Sequence, residues 1–185
     1  MLNEIQVDTE RKMQKSVSSV ISELAGIRSG KATPALLDSV RVEAYSQKMP
    51  LNQVSSVSVP DPKTLVIQPW DKNLVGSIVK AIQIAELGFN PQVDGGIIRV
   101  PVPPLSEERR HDLVKLCKKI AEDGRIAVRN VRRDANERLK KAEKDKGISQ
   151  DEHRQGTEHV QKLTDRFIRE IDDIVSKKEK EVMSV

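Results

Sequence analysis

From Ser106 to Lys146 the chain contains nothing that would stop a helix: no proline, and a single glycine, Gly124. Apolar or small residues recur there in steps of three and four, at Leu113, Cys117, Ile120, Gly124, Ala127, Val131, Ala135, Leu139 and Ala142, the period of a helix with one buried stripe. Ser106 is placed to cap it, with Glu107 and Glu108 at its positive end. At 1.5 Å per residue such a helix runs about 60 Å. A stripe that long cannot be buried by one small core, so it demands partner helices of similar length. Two are available. Ser149 and Glu152 spell a capping box that opens a last helix with the seam Val160, Leu163, Phe167, Ile171, Ile174, Lys178 and Val182. The link Lys146–Ile148 is short enough to force these two helices antiparallel. Residues 1–29 supply the third, with Met13, Val17, Val20, Leu24 and Ile27 inward and Arg28-Ser29-Gly30 as its predicted close.

Between the first helix and the second the texture changes. Most of the prolines fall here, among Val/Ile-rich runs of strand length at 40–44, 54–59, 64–68 and 97–100. Asp94-Gly95-Gly96 reads as a tight turn. One helix fits inside, with Asp71 as its cap, Leu74, Val75, Ile78, Val79 and Ile82 as its stripe and Gly88 as its stop. The predicted fold class is α+β: an elongated three-helix bundle from residues 1–29 and 105–185, with a small β/α/β domain, 30–104, inserted into it. The chain crosses between them twice, so hinges are expected near 29–31 (Ser29, Gly30) and 102–105 (Pro103, Pro104).

Composition agrees with thin aliphatic seams. Aromatics are 2% and hydrophobics 37% of 185 residues, too little for a thick barrel core. A net charge of +4 leans toward polyanionic partners, though 28 acids are mixed with 32 bases. One cysteine, Cys117, excludes an internal disulfide and suits a reducing compartment; its place on a seam predicts a buried, inert thiol. No stretch has the roughly 20 apolar residues of a membrane span, and the N-terminus has neither a signal-peptide nor a transit pattern, so a cytoplasmic protein is expected. His111, His153 and His159 share no metal-binding spacing and are expected on solvated surface. No phosphate-cradling glycine motif is present. An enzyme, a metal or a cofactor is therefore not expected. Trp70 is expected to anchor the core of the small domain.

The segment AVRNVRRDAN, residues 127–136, raises the functional question. With the seam Ile120, Gly124, Ala127, Val131 taken as inward, Lys118, Arg125, Arg129, Arg132, Asn136 and Lys140 project roughly opposite. Arg133 lies at the edge of that row, and Glu122 interrupts it. A charged outer face could serve solubility alone, with Arg129 pairing Asp134 or Arg133 pairing Glu137. Against that, Arg125, Arg129 and Arg132 lack an acid on their own line, and Arg is used where Lys would suffice for solubility. The guanidinium fork suits phosphate. Without interleaved aromatics the row cannot stack bases, so the backbone of folded or duplex RNA is the predicted target.

AVRNVRRDAN, together with RVPVPPLSEERR (99–110), QKLTD (161–165), IRSGKATP (27–34), GFNPQVDGG (88–96) and KEKEVM (178–183), resembles the bacterial ribosome recycling factor family, in order and over essentially the whole chain. The resemblance implies a hinged, L-shaped molecule that binds the post-termination 70S ribosome. With elongation factor G and GTP it would then split the subunits. It also implies contacts to large-subunit ribosomal RNA by Arg132, Arg129, Arg110 and Arg28, with Arg133 and Lys31 as further basic positions. GTP hydrolysis would belong to the partner, and the chain would act as a monomer. Ala44-Tyr45-Ser46 replaces the family's usual Tyr-Tyr-Gly turn, and Gly124 stands where a better helix former is common. The alternative reading is a helical scaffold or chaperone that binds duplex RNA in general.

Overall fold

The structure is a computed structural model and describes residues 1–184. It divides into two compact units, one from Met1–Arg28 and Glu107–Ser184, the other from Ser29–Ser106.

The first unit is three helices: α1 (Leu2–Ala25), α3 (Glu107–Lys144) and α4 (Gln150–Met183). α3 has 38 residues, about 57 Å of rise. Asp8 of α1 meets Arg138 of α3, and Val20 of α1 lies beside Gly124, so these two helices run antiparallel. Arg125 meets Asp172 on α4, while Glu143 meets His153, so α3 and α4 are antiparallel too. Leu2 lies beside Gly156, and Glu10 pairs with Arg166; α1 and α4 are therefore parallel. The connection between α3 and α4 turns through Lys146 at φ 58. Ser149 then caps α4 in a full capping box with Glu152, whose carboxyl the Ser149 backbone N–H holds below its ordinary range.

The seams differ from expectation in detail. α1 ends at Ala25, with Gly26 as its cap, one turn before the predicted Arg28-Ser29-Gly30; Ile27 is buried beyond the helix end. In α3 the buried line passes through Ala121 and Val128, and the expected Ala127 and Val131 are only half-buried. In α4 Val175 is buried where Ile174 was expected. Cys117 is wholly buried, and burial raises its thiol above the ordinary value.

The second unit has six strands: β1 (Arg41–Ala44), β2 (Gln47–Pro50), β3 (Ser55–Asp61), β4 (Thr64–Pro69), β5 (Gln92–Asp94) and β6 (Ile97–Pro101). β1 and β2 form a separate hairpin; the others form an antiparallel sheet in the order β3-β4-β6-β5. The helix α2 (Val75–Ile84) follows a 3-10 turn, where the Asp71 side chain accepts from the backbone N–H of Asn73. The core joins Leu65 and Ile67 of β4, Ile98 and Val100 of β6, Val42 of β1, and Ile78 and Ile82 of α2. Strand alternation puts Leu65, Ile67, Ile98 and Val100 on one face of the four-stranded sheet. Gly95 and Gly96, both at positive φ, make the two-residue turn from β5 to β6, which needs left-handed backbone at both positions. β2 and β5 go beyond the β/α/β expectation. α2 stops at Ile84, short of the expected Gly88. Trp70 is 68% exposed and so is no core anchor.

Candidate nucleic-acid interface

α3 positions most of the candidate arginines. With its buried residues from Leu113 to Ala142 as the inward direction, Arg132 lies about 65° from inward, Arg125 about 85°, Arg129 about 125° and Arg133 about 165°. The row is thus a flank facing the α4 side of the rod rather than the face opposite the seam. Spacing alone places the row opposite the seam because it puts Ala127 and Val131 inward, whereas the buried residues are Ala121 and Val128. Arg132 is accordingly half-buried, while Arg133 is exposed.

Two of these arginines are not free of acids. Arg125 Nη2 lies 2.7 Å from Asp172 of α4, and its Nη1 lies 2.9 Å from Glu122. Arg129 Nη1 lies 3.2 Å from the other oxygen of Glu122. The expectation that Arg125, Arg129 and Arg132 all stand unpaired therefore holds only for Arg132. Glu122 sits three residues before Arg125 and seven before Arg129, spacings that put it on the same helix face, whereas Asp172 comes from another helix. Arg125 raises no question of availability, because its two carboxylates hold it across the α3–α4 seam. Asp172 and then Glu122 raise its affinity for the proton, and Glu122 is correspondingly acidified by Arg125 and Arg129. Arg129 differs. It is 38% exposed and its single pair is with a carboxylate that is 50% exposed, an arrangement worth about 0–1 kcal/mol and open to exchange for a phosphate.

Arg132 and Arg133 form no ion pair among the described residues; the anticipated alternative pairs of Arg129 with Asp134 and Arg133 with Glu137 do not form, Asp134 being taken by Lys12. Arg110 lies 22 residues before Arg132 on the same helix, about 33 Å along it. Its side chain is half-buried, and its Nε is buried without a hydrogen-bond partner, as is Oδ1 of Asn136. Arg28 is exposed just after α1 ends, whereas Lys31 is half-buried and belongs to the second unit. The bundle therefore carries Arg28, Arg110, Arg129, Arg132 and Arg133; Asp172, which sorts a structural arginine from the available ones, had no signal in local sequence.

The arrangement can bind anions but offers no covalent chemistry. His153 pairs with Glu143 and is less solvated than expected. Among the described residues no group of three or more His, Cys, Asp or Glu could hold a metal ion.

The family model described as ribosome recycling factor matches residues 20–183. The chain is 52% identical over 185 residues to the ribosome-recycling factor of Symbiobacterium thermophilum, covering both chains completely. It is 51% identical to that of Bacillus subtilis over the same span. Among solved structures it resembles the solution structure of the ribosome recycling factor, with TM-score 0.73 and 47% identity, covering 100% of this chain and 98% of that one. It also resembles, at TM-score 0.62 and 45% identity with 98% of each chain covered, a chain from models for the T. thermophilus ribosome recycling factor and the E. coli elongation factor G bound to the E. coli post-termination complex.

Proposed function

The chain belongs to the ribosome recycling factor family, and from that premise we propose that it binds the post-termination ribosome and, with elongation factor G and GTP, splits the subunits for a new round of translation. The observation that carries this reading is likeness from end to end, 52% identity over the full length of both chains. The protein is a translation factor and not an enzyme; GTP hydrolysis is the partner's. The reading places it in the cytoplasm with the ribosomes. Among the described residues no helix is long and apolar enough to cross a membrane.

In this reading the bundle docks on large-subunit ribosomal RNA through Arg132, Arg129, Arg133, Arg110 and Arg28, with Lys31 adding a charge from the second unit. Support comes from the two arginines without carboxylates, Arg132 and Arg133, and from the weakly held Arg129. The long helices act as a stiff lever, and the chain pivots near Ser29-Gly30 and Pro103-Pro104 as the elongation factor pushes on the second unit.

The test is a subunit-splitting assay by light scattering. Splitting is expected only when the protein, elongation factor G and GTP are all present. Binding to isolated RNA duplexes as tight as to ribosomes, with no splitting, would instead establish the general duplex-RNA chaperone.

A further inference from the structure

Glu122 interrupts the basic row of α3, and the docking reading leaves it without a role. At 100° per residue it lies about 145° from inward, between the directions of Arg129 and Arg133. It therefore faces whatever those arginines face. The bundle does not need it. Arg125 is already fixed across the α3–α4 seam by Asp172, which accepts from Nε at 2.8 Å and lies 2.7 Å from Nη2. Glu122 takes the third nitrogen of Arg125, Nη1, on Oε2 at 2.9 Å, and takes Arg129 Nη1 on Oε1 at 3.2 Å. Both bonds stay within α3, and the pair with Arg129 is open to water, so it adds little to stability.

Asp172, Arg125, Glu122 and Arg129 thus form a line of alternating charges that sums to zero. Arg125 first, and then Arg129, hold the Glu122 carboxyl below its ordinary range and keep it ionised. Because Arg125 is itself tied to Asp172, Glu122 stays in place when Arg129 turns toward another anion. A phosphate reaching Arg129 must displace this carboxylate and then sit near it as a like charge. A steadying role for Glu122 fits less well. Its bond to Arg129 is longer than the about 2.7–2.9 Å of a firm charge-assisted pair, and it occupies a nitrogen that an end-on phosphate would use.

We propose that Glu122 is an internal competitor for the RNA phosphate at Arg129, limiting how tightly the bundle holds the ribosome and speeding its departure. The proposal rests on the functional reading above, in which Arg129 docks on ribosomal RNA. Arg132 and Arg133, which have no carboxylate, supply the hold, and Arg129 is the contact that Glu122 weakens. A factor that serves one ribosome after another has to let go of each, and an acid built into its basic face provides for that.

The experiment uses the full-length protein and post-termination ribosomes, with affinity and dissociation rate measured across a salt series. Glu122→Gln keeps the side chain's size and removes its charge. It is expected to bind about fivefold tighter, mainly through slower dissociation, with a salt dependence steeper by about one counterion. Glu122→Ala, which keeps a strong helix former at the position, should show the same gain. The gain has to run through Arg129: in an Arg129→Gln background, Glu122→Gln should change affinity less than twofold. An equal gain in that background would assign the effect to net charge and overturn the proposal. Unchanged or weaker binding by both single variants also overturns it, weaker binding because Glu122 would then be steadying Arg129. Failure of the functional reading looks different: the unsubstituted protein itself would then not split ribosomes.

Discussion

A β-carbon placed on Gly124 of α3 would stand 2.5 Å from Cγ2 of Val20 on α1 and 3.3 Å from Cδ1 of Ile171 on α4. All three helices of the bundle close on this point. In isolation glycine costs a helix about 1 kcal/mol relative to alanine, which would make Gly124→Ala a stabilising change. Val20 is β-branched and stiff at χ1, so it cannot swing aside, and forcing a methyl into a filled core costs about 1–3 kcal/mol. Gly124→Ala should therefore lower the melting temperature of the bundle, by roughly 2–4 °C per kcal/mol for a chain of this size. A higher melting temperature, read by circular dichroism at 222 nm, would show that the contact relaxes at no cost.

Arg132 and Arg125 lie two turns apart on α3 and should fail in different ways. Arg132 has no carboxylate, so Arg132→Glu is expected to weaken ribosome binding by an order of magnitude or more, leave the melting temperature almost unchanged, and reduce the salt dependence of binding by about one released counterion. Arg125 is held by Asp172 and Glu122. Arg125→Gln should cost about 1 kcal/mol of stability and little affinity. Filter binding across a salt series, with thermal melts of both variants, separates the two. If Arg132→Glu binds as tightly as the parent, the flank has no part in docking.

The contrast between these arginines marks where the sequence stops being legible. The helices follow from spacing: a seam repeated over about eight turns admits few other folds, and Ser149 with Glu152 announces the start of α4. Strands built on Val and Ile, such as Thr64–Pro69, are equally plain. β2, Gln-Lys-Met-Pro, has no β-branched residue, and β5 has three residues with one valine between polar neighbours; register with β1 and β6 makes them strands, and register is not a local property. Spacing alone misplaces the inward direction of α3 because Ala, Gly and Val crowd the middle of the seam, where choosing a neighbouring residue turns that one position by about 100°. Gly124 looked like a weak point because propensity is read along one helix, whereas its reason lies on two others. Asp172, 47 positions from Arg125, is hidden for the same cause.

Asp8 offers a test through pH. Arg11 and Arg138 each donate to it at 2.6 Å, and Lys12 lies 3.1 Å away. Arg11 first, then Arg138 and Lys12, hold its carboxyl far below its ordinary 3.8. A depressed carboxyl contributes stability that is fully present above the unfolded value and disappears as pH falls through the folded one. The melting temperature of the parent should exceed that of Asp8→Asn by a constant margin from pH 7 down to about pH 4, and the margin should shrink below that. A gap that stays level to pH 2 would mean that the cluster acts through packing rather than charge.

The proposed pivot is the last test, and Gly30 focuses it. Its φ of +81 suits glycine, and a β-carbon there would stand 3.1 Å from Leu105 Cγ, so the two crossings of the chain touch within the second unit. If the crossings only connect the units, fixing them together should cost nothing. If they carry the lever's motion, a covalent cross-link between one cysteine in each unit should leave ribosome affinity within about twofold while subunit splitting falls to the background rate, because a ligand-driven shift needs two states of differing affinity. Reversing a disulfide cross-link with a reductant should restore splitting, which separates restraint from damage. Full splitting by the cross-linked protein would remove the pivot and leave docking as the factor's whole contribution.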